Sequence, residues 1–244
     1  MALPKLDVPI YDTILPSGIR LQYRSFLVKE EKLFLIAAQS DDAETIISCI
    51  TQVLSNCIVS GPSINDLPIF DVEYLLLQIR ARSVGEIVTL RYKCNASITK
   101  IDGTTSSCET KSDYDINLVN IVPTTFPDHN KTIMITNTVG VVMQYPLFSR
   151  FSKALIEEFT VHESIDIILS CIESIFDEHS VHYIKDIPKQ ELLDFIESLT
   201  PSQLKKLDHF FETLPKIKIP IQFRCPACDH RELIEAKGIE NFFV

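Results

Sequence analysis

The sequence predicts an α+β protein: a β-containing body with two cysteine-bearing hairpins or ribbons, packed by helices, with a helical insertion in the carboxyl-terminal half. Three observations carry this reading. Apolar and polar residues alternate with period two in several short stretches. Amphipathic runs with cap signals lie between them. Two distant stretches, 88–94 and 219–225, share one order of apolar and basic residues, and each leads to a second cysteine, Cys108 or Cys228.

Taken in order, Pro16-Ser17-Gly18 signals a turn, and Ile19, Leu21 and Tyr23 then alternate with Arg20, Gln22 and Arg24 as in a half-buried strand. Residues 29–38 read as a helix. Asp41 with Glu44 resembles a capping box for a second helix over 45–58, which Ser60-Gly61-Pro62 ends. After Pro68, Val72, Leu75, Leu76 and Ile79 fall at helical spacing over 71–82, with acids in the first turn and Arg80 and Arg82 in the last. Residues 86–93 alternate up to Cys94, a polar connection passes Asp102-Gly103-Thr104, and Tyr114, Ile116 and Leu118 alternate again beyond Cys108. That is a hairpin with its cysteines near the turn.

Residues 132–145 are β-prone, and Pro146 opens a region of helical signals. Thr160 with Glu163 reads as a capping box for a helix reaching Phe176. Thr200-Pro201-Ser202-Gln203 combines an N-cap, Pro at the first helical position and Gln at the third. Its helix carries Leu204, Leu207, Phe210 and Phe211. The expected organisation is an amino-terminal α+β part over 1–144, a helical region over 145–214, and a cysteine ribbon over 215–244 that packs back on the first part.

A net charge of −10 opposes broad contact with a phosphate backbone, which is driven by Lys and Arg. No uncharged apolar stretch approaches membrane-spanning length and no signal-like segment opens the chain, so a soluble, cytosolic protein is expected. In that compartment the seven cysteines are thiols or metal ligands rather than disulfides. Cys49, Cys57 and Cys171 sit in apolar, helix-like sequence and read as core residues.

Cys225-Pro226-Ala227-Cys228 is different, because a two-residue gap lets both sulfurs face one ion. Tetrahedral closure needs two more ligands, for which Cys94 and Cys108 are the candidates, with His230 the substitute for Cys108. Cys94, Cys108, Cys225 and Cys228 would then hold a structural zinc. The alternative leaves Cys94 and Cys108 filling the hairpin's end and the other two as free thiols. Catalytic patterns are missing: there is no phosphate-cradling glycine motif, and His162-Glu163 lacks a second histidine four residues after the first. His129, His179, His182 and His209 read as surface histidines. Leu67, Phe70, Leu75 and Leu76, like Leu192, Ile196 and Leu199, read as core; Phe242-Phe243-Val244 needs a docked strand or another chain to bury it.

The run Asp66-Leu67-Pro68-Ile69-Phe70-Asp71-Val72-Glu73-Tyr74-Leu75-Leu76-Leu77-Gln78-Ile79-Arg80-Ala81-Arg82-Ser83-Val84-Gly85-Glu86 resembles the signature of the T4-like phage baseplate proteins, the family of the hub component and hub assembly factor of contractile tails. Residues 23–32 are similar to its amino-terminal block, and the segments at Cys94 and Cys225 to its two cysteine-bearing strands. One departure stands out: the close cysteine pair expected at both strands is present only at Cys225 and Cys228.

The resemblance implies a non-enzymatic protein of tail morphogenesis, a baseplate hub component or hub assembly factor acting through contacts with other hub proteins. It further implies action in the host cytoplasm during assembly and a place at the virion's tail baseplate if the protein is retained. Oligomeric state is left open. The competing reading is a zinc-ribbon nucleic-acid or transcription adaptor using Lys93, Arg224, Arg231, Tyr92 and Phe223.

Overall fold

The turn at Pro16-Ser17-Gly18 closes an antiparallel hairpin of β1 (Ile10–Ile14) and β2 (Arg20–Arg24), with the Gly18 N–H donating to the Leu15 carbonyl at 2.8 Å. Gly18 holds φ at 91°, a left-handed conformation that glycine adopts without strain. Leu21 and Tyr23 face inward, 4% and 2% exposed. The structure, a computed structural model, describes residues 6–99, 104–152 and 161–236, and the side chains at 161–164 and 236 are not among those described. The expected Asp102-Gly103 turn, the Thr160 and Glu163 cap and the terminal Phe242-Phe243-Val244 lie outside them.

Helix α1 (Val28–Ala38) follows, then α2 (Ala43–Cys57) and the short β3 (Ile58–Ser60), which pairs with β2. The cap of α2 is Asp42 rather than Asp41: its carboxylate accepts the Thr45 N–H at 2.9 Å. One residue of slippage keeps the same chemistry, an acidic oxygen over the first-turn amides. Helix α3 (Ile69–Ser83) keeps Arg80 and Arg82 in its last turn and begins two residues before the expected Asp71. Leu67, Phe70, Leu75 and Leu76 are all 4% exposed or less, so they are core.

Strands β4 (Ile87–Lys93) and β7 (Lys111–Asn117) form the expected hairpin, with Val88 opposite Ile116 and Leu90 opposite Tyr114. A smaller hairpin of β5 (Ser97–Thr99) and β6 (Thr105–Ser107) lies between them in sequence. Later come β8 (Thr132–Met134), β9 (Gly140–Met143), α4 (Phe148–Phe151) and α5 (Val161–Ser170). The helix expected to reach Phe176 stops at Ser170. β10 (Ile172–Phe176) instead pairs with β9, and β11 (Val181–Tyr183) extends that sheet, because β-branched and aromatic residues satisfy an open edge there. Helices α6 (Lys189–Glu197) and α7 (Pro201–Glu212) follow, and α7 has the predicted reciprocal cap between Thr200 and Gln203. The chain ends its described part in a hairpin of β12 (Ile219–Arg224) and β13 (Arg231–Ala236).

These elements make a mixed α+β protein that divides into two compact units. One gathers the described residues of 6–61, 73–123 and 217–236; the other gathers 62–72 and those of 124–216. In the second, Val141, Met143, Ile172, Leu192, Ile196, Leu207 and Phe210 form the core. In the first, Leu77 and Ala81 of α3 pack with Val88, Leu118, Ile219 and Ile221, which seats both cysteine hairpins on one helix. No helix among the described residues is long and apolar enough to cross a membrane.

Candidate metal centre

At the far end of the two hairpins Cys94, Cys108, Cys225 and Cys228 converge, their sulfurs all within 4.8 Å of one another. Alternation along β12 drives this, since Ile219, Ile221 and Phe223 face inward and carry Cys225 to the same buried side. Phe223 packs edge-on against Tyr92 at 4.7 Å and tilts against Tyr114 at 5.7 Å. The Tyr114 hydroxyl bridges the hairpins, donating to the Arg224 carbonyl and accepting its N–H, both at 3.1 Å. Cys94 and Cys225 are 0% and 1% exposed.

The sulfurs of Cys94 and Cys228 lie 3.7 Å apart, as do those of Cys108 and Cys225. A disulfide needs about 2.05 Å. Four sulfurs around a tetrahedral zinc at about 2.3 Å are about 3.8 Å apart.

Both halves of the cluster are one turn, used twice. The Cys225 N–H donates to the His230 carbonyl and the Asp229 N–H to the Cys225 carbonyl, while the Cys94 N–H donates to Thr110 and the Glu109 N–H to Cys94, all at 2.9–3.0 Å. Asp229 and Glu109 both sit at φ 57°, and they are the only non-glycine residues with positive φ among those described. Backbone N–H groups of Ala227 and His230 point at the sulfurs of Cys225 and Cys228; those of Ala96 and Thr110 point at Cys94 and Cys108. The first turn differs in carrying residues 97–107, with β5 and β6, between Ala96 and Cys108, and in the N–H of its second cysteine, which does not meet the first sulfur as that of Cys228 does. The 2.9 Å bond from the Cys108 N–H to the Ala96 carbonyl closes the base of that insertion. Removing it in thought leaves Cys94-Asn95-Ala96-Cys108, a second two-residue spacing.

Four thiols this close ionise as a set. Burial opposes a thiolate at Cys225, but the N–H groups of Cys228 and Ala227 outweigh it and bring that thiol down to about 6. The Cys108 thiol is also held below its ordinary value, chiefly by the Thr110 hydroxyl and N–H. Burial raises Cys94.

The four cysteines singled out in the sequence are the four whose sulfurs lie together here. The two left-handed residues that make the turns were missed, although an acidic residue directly after the second cysteine of each pair was a readable sign. His230 is not in the cluster: its ring lies 3.7 Å from Glu232, and Cys108 needs no substitute. The basic and aromatic residues of the nucleic-acid reading are engaged elsewhere. Lys93 pairs with Glu109 at 2.7 Å, Arg224 and Arg231 both pair with Asp229, and Phe223 is 2% exposed. Of the expected surface histidines, His129 departs. Its ring is half-buried, stacked on Tyr145 and bonded through Nδ1 to the Thr213 hydroxyl at 3.0 Å. Cys49, Cys57 and Cys171 are buried, and burial pushes Cys171 up to about 12 and Cys57 up to about 11.

The family described as T4 bacteriophage base plate protein matches residues 8–244 of this chain. Among curated proteins, the chain is similar to the baseplate hub assembly protein gp26 of Enterobacteria phage T4, 22% identical over 222 residues that cover 90% of each protein. No solved structure matches.

Proposed function

This chain belongs to the T4 bacteriophage base plate protein family, and from that premise we propose that it is a morphogenesis protein of the baseplate hub, either a hub component or a hub assembly factor. The carrying observation is the family match over nearly the whole chain, together with the likeness to a hub assembly protein at equal coverage of both partners. It works through protein contacts with other hub subunits, without chemistry of its own. Preferential binding to the assembly-competent state of a hub subunit is enough to promote assembly, because a ligand shifts an equilibrium by its differential affinity for the two states. It acts in the host cell while tails are built, and mass spectrometry of finished particles distinguishes a retained component from a departing factor.

In this reading the four cysteines hold a structural zinc. The spacing of their sulfurs, the soft thiolate donor set and the N–H groups aimed at them all suit that ion, which in such closed sites supplies fold stability rather than catalysis. The zinc would tie the β12–β13 hairpin to the β4–β7 hairpin.

The test of function is direct. Purified protein mixed with the other hub proteins of its phage should form a complex seen by gel filtration, or should speed hub formation. If neither happens with any hub protein, the proposal fails.

A further inference from the structure

The sheet ordered β11-β10-β9-β8 ends at β8, whose outer side meets no strand among the described residues. The Met143 N–H donates to the Lys131 carbonyl at 2.7 Å and the Ile135 N–H to the Val139 carbonyl at 2.9 Å, with Ile133 opposite Val141. The odd-numbered residues thus bond toward β9. Thr132 and Met134 turn their backbone groups the other way, because the direction alternates along an antiparallel strand.

Two of those four groups are occupied. The Thr132 N–H donates to Asn130 Oδ1 at 2.9 Å, and the Met134 carbonyl accepts from Lys206 Nζ at 2.9 Å. The Thr132 carbonyl and the Met134 N–H have no partner among the described residues. This pattern selects an orientation for any strand added at the edge. An antiparallel strand exchanges both bonds with one residue, Thr132 or Met134, and so needs a group already taken. A parallel strand sets one residue opposite Ile133, whose N–H bonds the carbonyl before it and whose carbonyl bonds the N–H after it. Those are the two free groups.

Beside this edge lies a cleft of about 550 Å³ lined by Asn130, Thr132 and Ile133 and, from α7, by Lys205, Lys206 and Phe210. Its size falls within the range of about 300–1,000 Å³ usual for binding clefts. Ile133 is half-buried and Phe210 is 2% exposed, so the lining is apolar on the side that a residue opposite Ile133 would face. We propose that β8 takes up an extended segment of a hub protein as a parallel strand, with one apolar side chain of that segment in the cleft beside Ile133 and Phe210. That the partner is a hub protein rests on the reading above. A second copy of this chain does not fit, because two β8 strands related by a two-fold axis would meet antiparallel and find Asn130 and Lys206 in the way.

Met134→Pro removes the free N–H without touching a bond to β9, and proline is tolerated at edge positions of that kind. Lys205→Trp fills the cleft from an exposed position on α7 and serves where the proline variant fails to fold. Each variant, checked for an unchanged melting profile, is titrated by calorimetry with the purified hub proteins, and residue-resolved amide exchange of wild type is followed with and without them. The expected result is at least about a tenfold loss of affinity for either variant, since a backbone bond is lost or the strand's place is filled. Exchange at Met134 should slow in the complex. If the complex forms and both variants bind as wild type does, or Met134 exchanges as fast as in the free protein, the edge is not the docking site, although the hub reading stands. Should wild type bind no hub protein at all, both fall together. Light scattering that finds a dimer abolished by Met134→Pro gives the edge to a second copy and overturns the proposal.

Discussion

Replacing Cys225 by Ser removes one sulfur from the cluster while nearly preserving volume, and the hydroxyl is a poor donor for a soft site. The cost follows from connectivity. The cluster joins Cys108 to Cys225, 117 positions apart in sequence, so a bound metal closes a very long loop of the unfolded chain. By the chain-entropy relation for a cross-link of that span, the constraint is worth about 5 kcal/mol. For a protein of this size each kcal/mol moves the melting temperature by about 2–4 °C, so Cys225→Ser should melt about 10–20 °C below wild type. The assay is differential scanning calorimetry paired with metal analysis of the same samples, with Cys171→Ala as a control that removes a thiol far from the cluster in sequence. Wild type should carry near-stoichiometric zinc and the control should keep it. The argument is refuted if wild type purifies without metal, or if Cys225→Ser melts within about 2 °C of wild type.

Deleting residues 97–107, so that Ala96 joins Cys108 directly, should leave zinc content and melting temperature near wild type; metal loss would show that the two turns are not equivalent. Burial pushes Glu73 up to about 7, so the native protein holds a proton between about pH 4.5 and 7 that the unfolded chain releases, and stability falls as pH rises through that window. Glu73→Gln should therefore raise the melting temperature at pH 8, by up to about 3 kcal/mol of stability, and change little at pH 5. Burial alone would raise Glu30, but Arg24, the Leu27 N–H and Lys29 hold it below the ordinary range, so its contribution is present at neutral pH and lost as pH falls through its native value. Glu30→Gln leaves Arg24 without its carboxylate and should cost about 3–5 kcal/mol at pH 7, with the gap narrowing in an acid titration as pH falls below the ordinary glutamate value of 4.5. A Cβ at Gly140 would lie 2.2 Å from the Phe176 ring, so Gly140→Ala should destabilise by about 1–3 kcal/mol in urea melts, and Phe176→Leu in the same chain should recover part of that.

Much of the fold was legible because the decisive signals are local. The cap of α7 needs only Thr200, Pro201 and Gln203, and the β4–β7 hairpin only its alternation. The failures are non-local. Nothing in residues 172–176 by themselves decides between helix and strand; the open edge of β9 decides it, with Phe176 opposite Gly140. His129 is pulled from the surface by Tyr145 and Phe210, residues distant in sequence.

The metal centre shows the same division from the other side. The spacing of Cys94 and Cys108 argues against a knuckle only if sequence distance is taken as spatial distance. A hairpin returns the chain to its starting point, so the β5–β6 insertion adds length without moving the sulfurs apart. What the thiolates require is the N–H geometry of the turn, in which Ala96 and Thr110 take the places of Ala227 and His230, and Glu109 the left-handed place of Asp229; the Cys228 N–H at the Cys225 sulfur has no counterpart at Cys94. The insertion enters between the residue whose N–H meets the first sulfur and the second cysteine, and it displaces one bond there: the Cys228 N–H meets the Cys225 sulfur, whereas the Cys108 N–H meets the Ala96 carbonyl. The β5–β6 hairpin occupies that point.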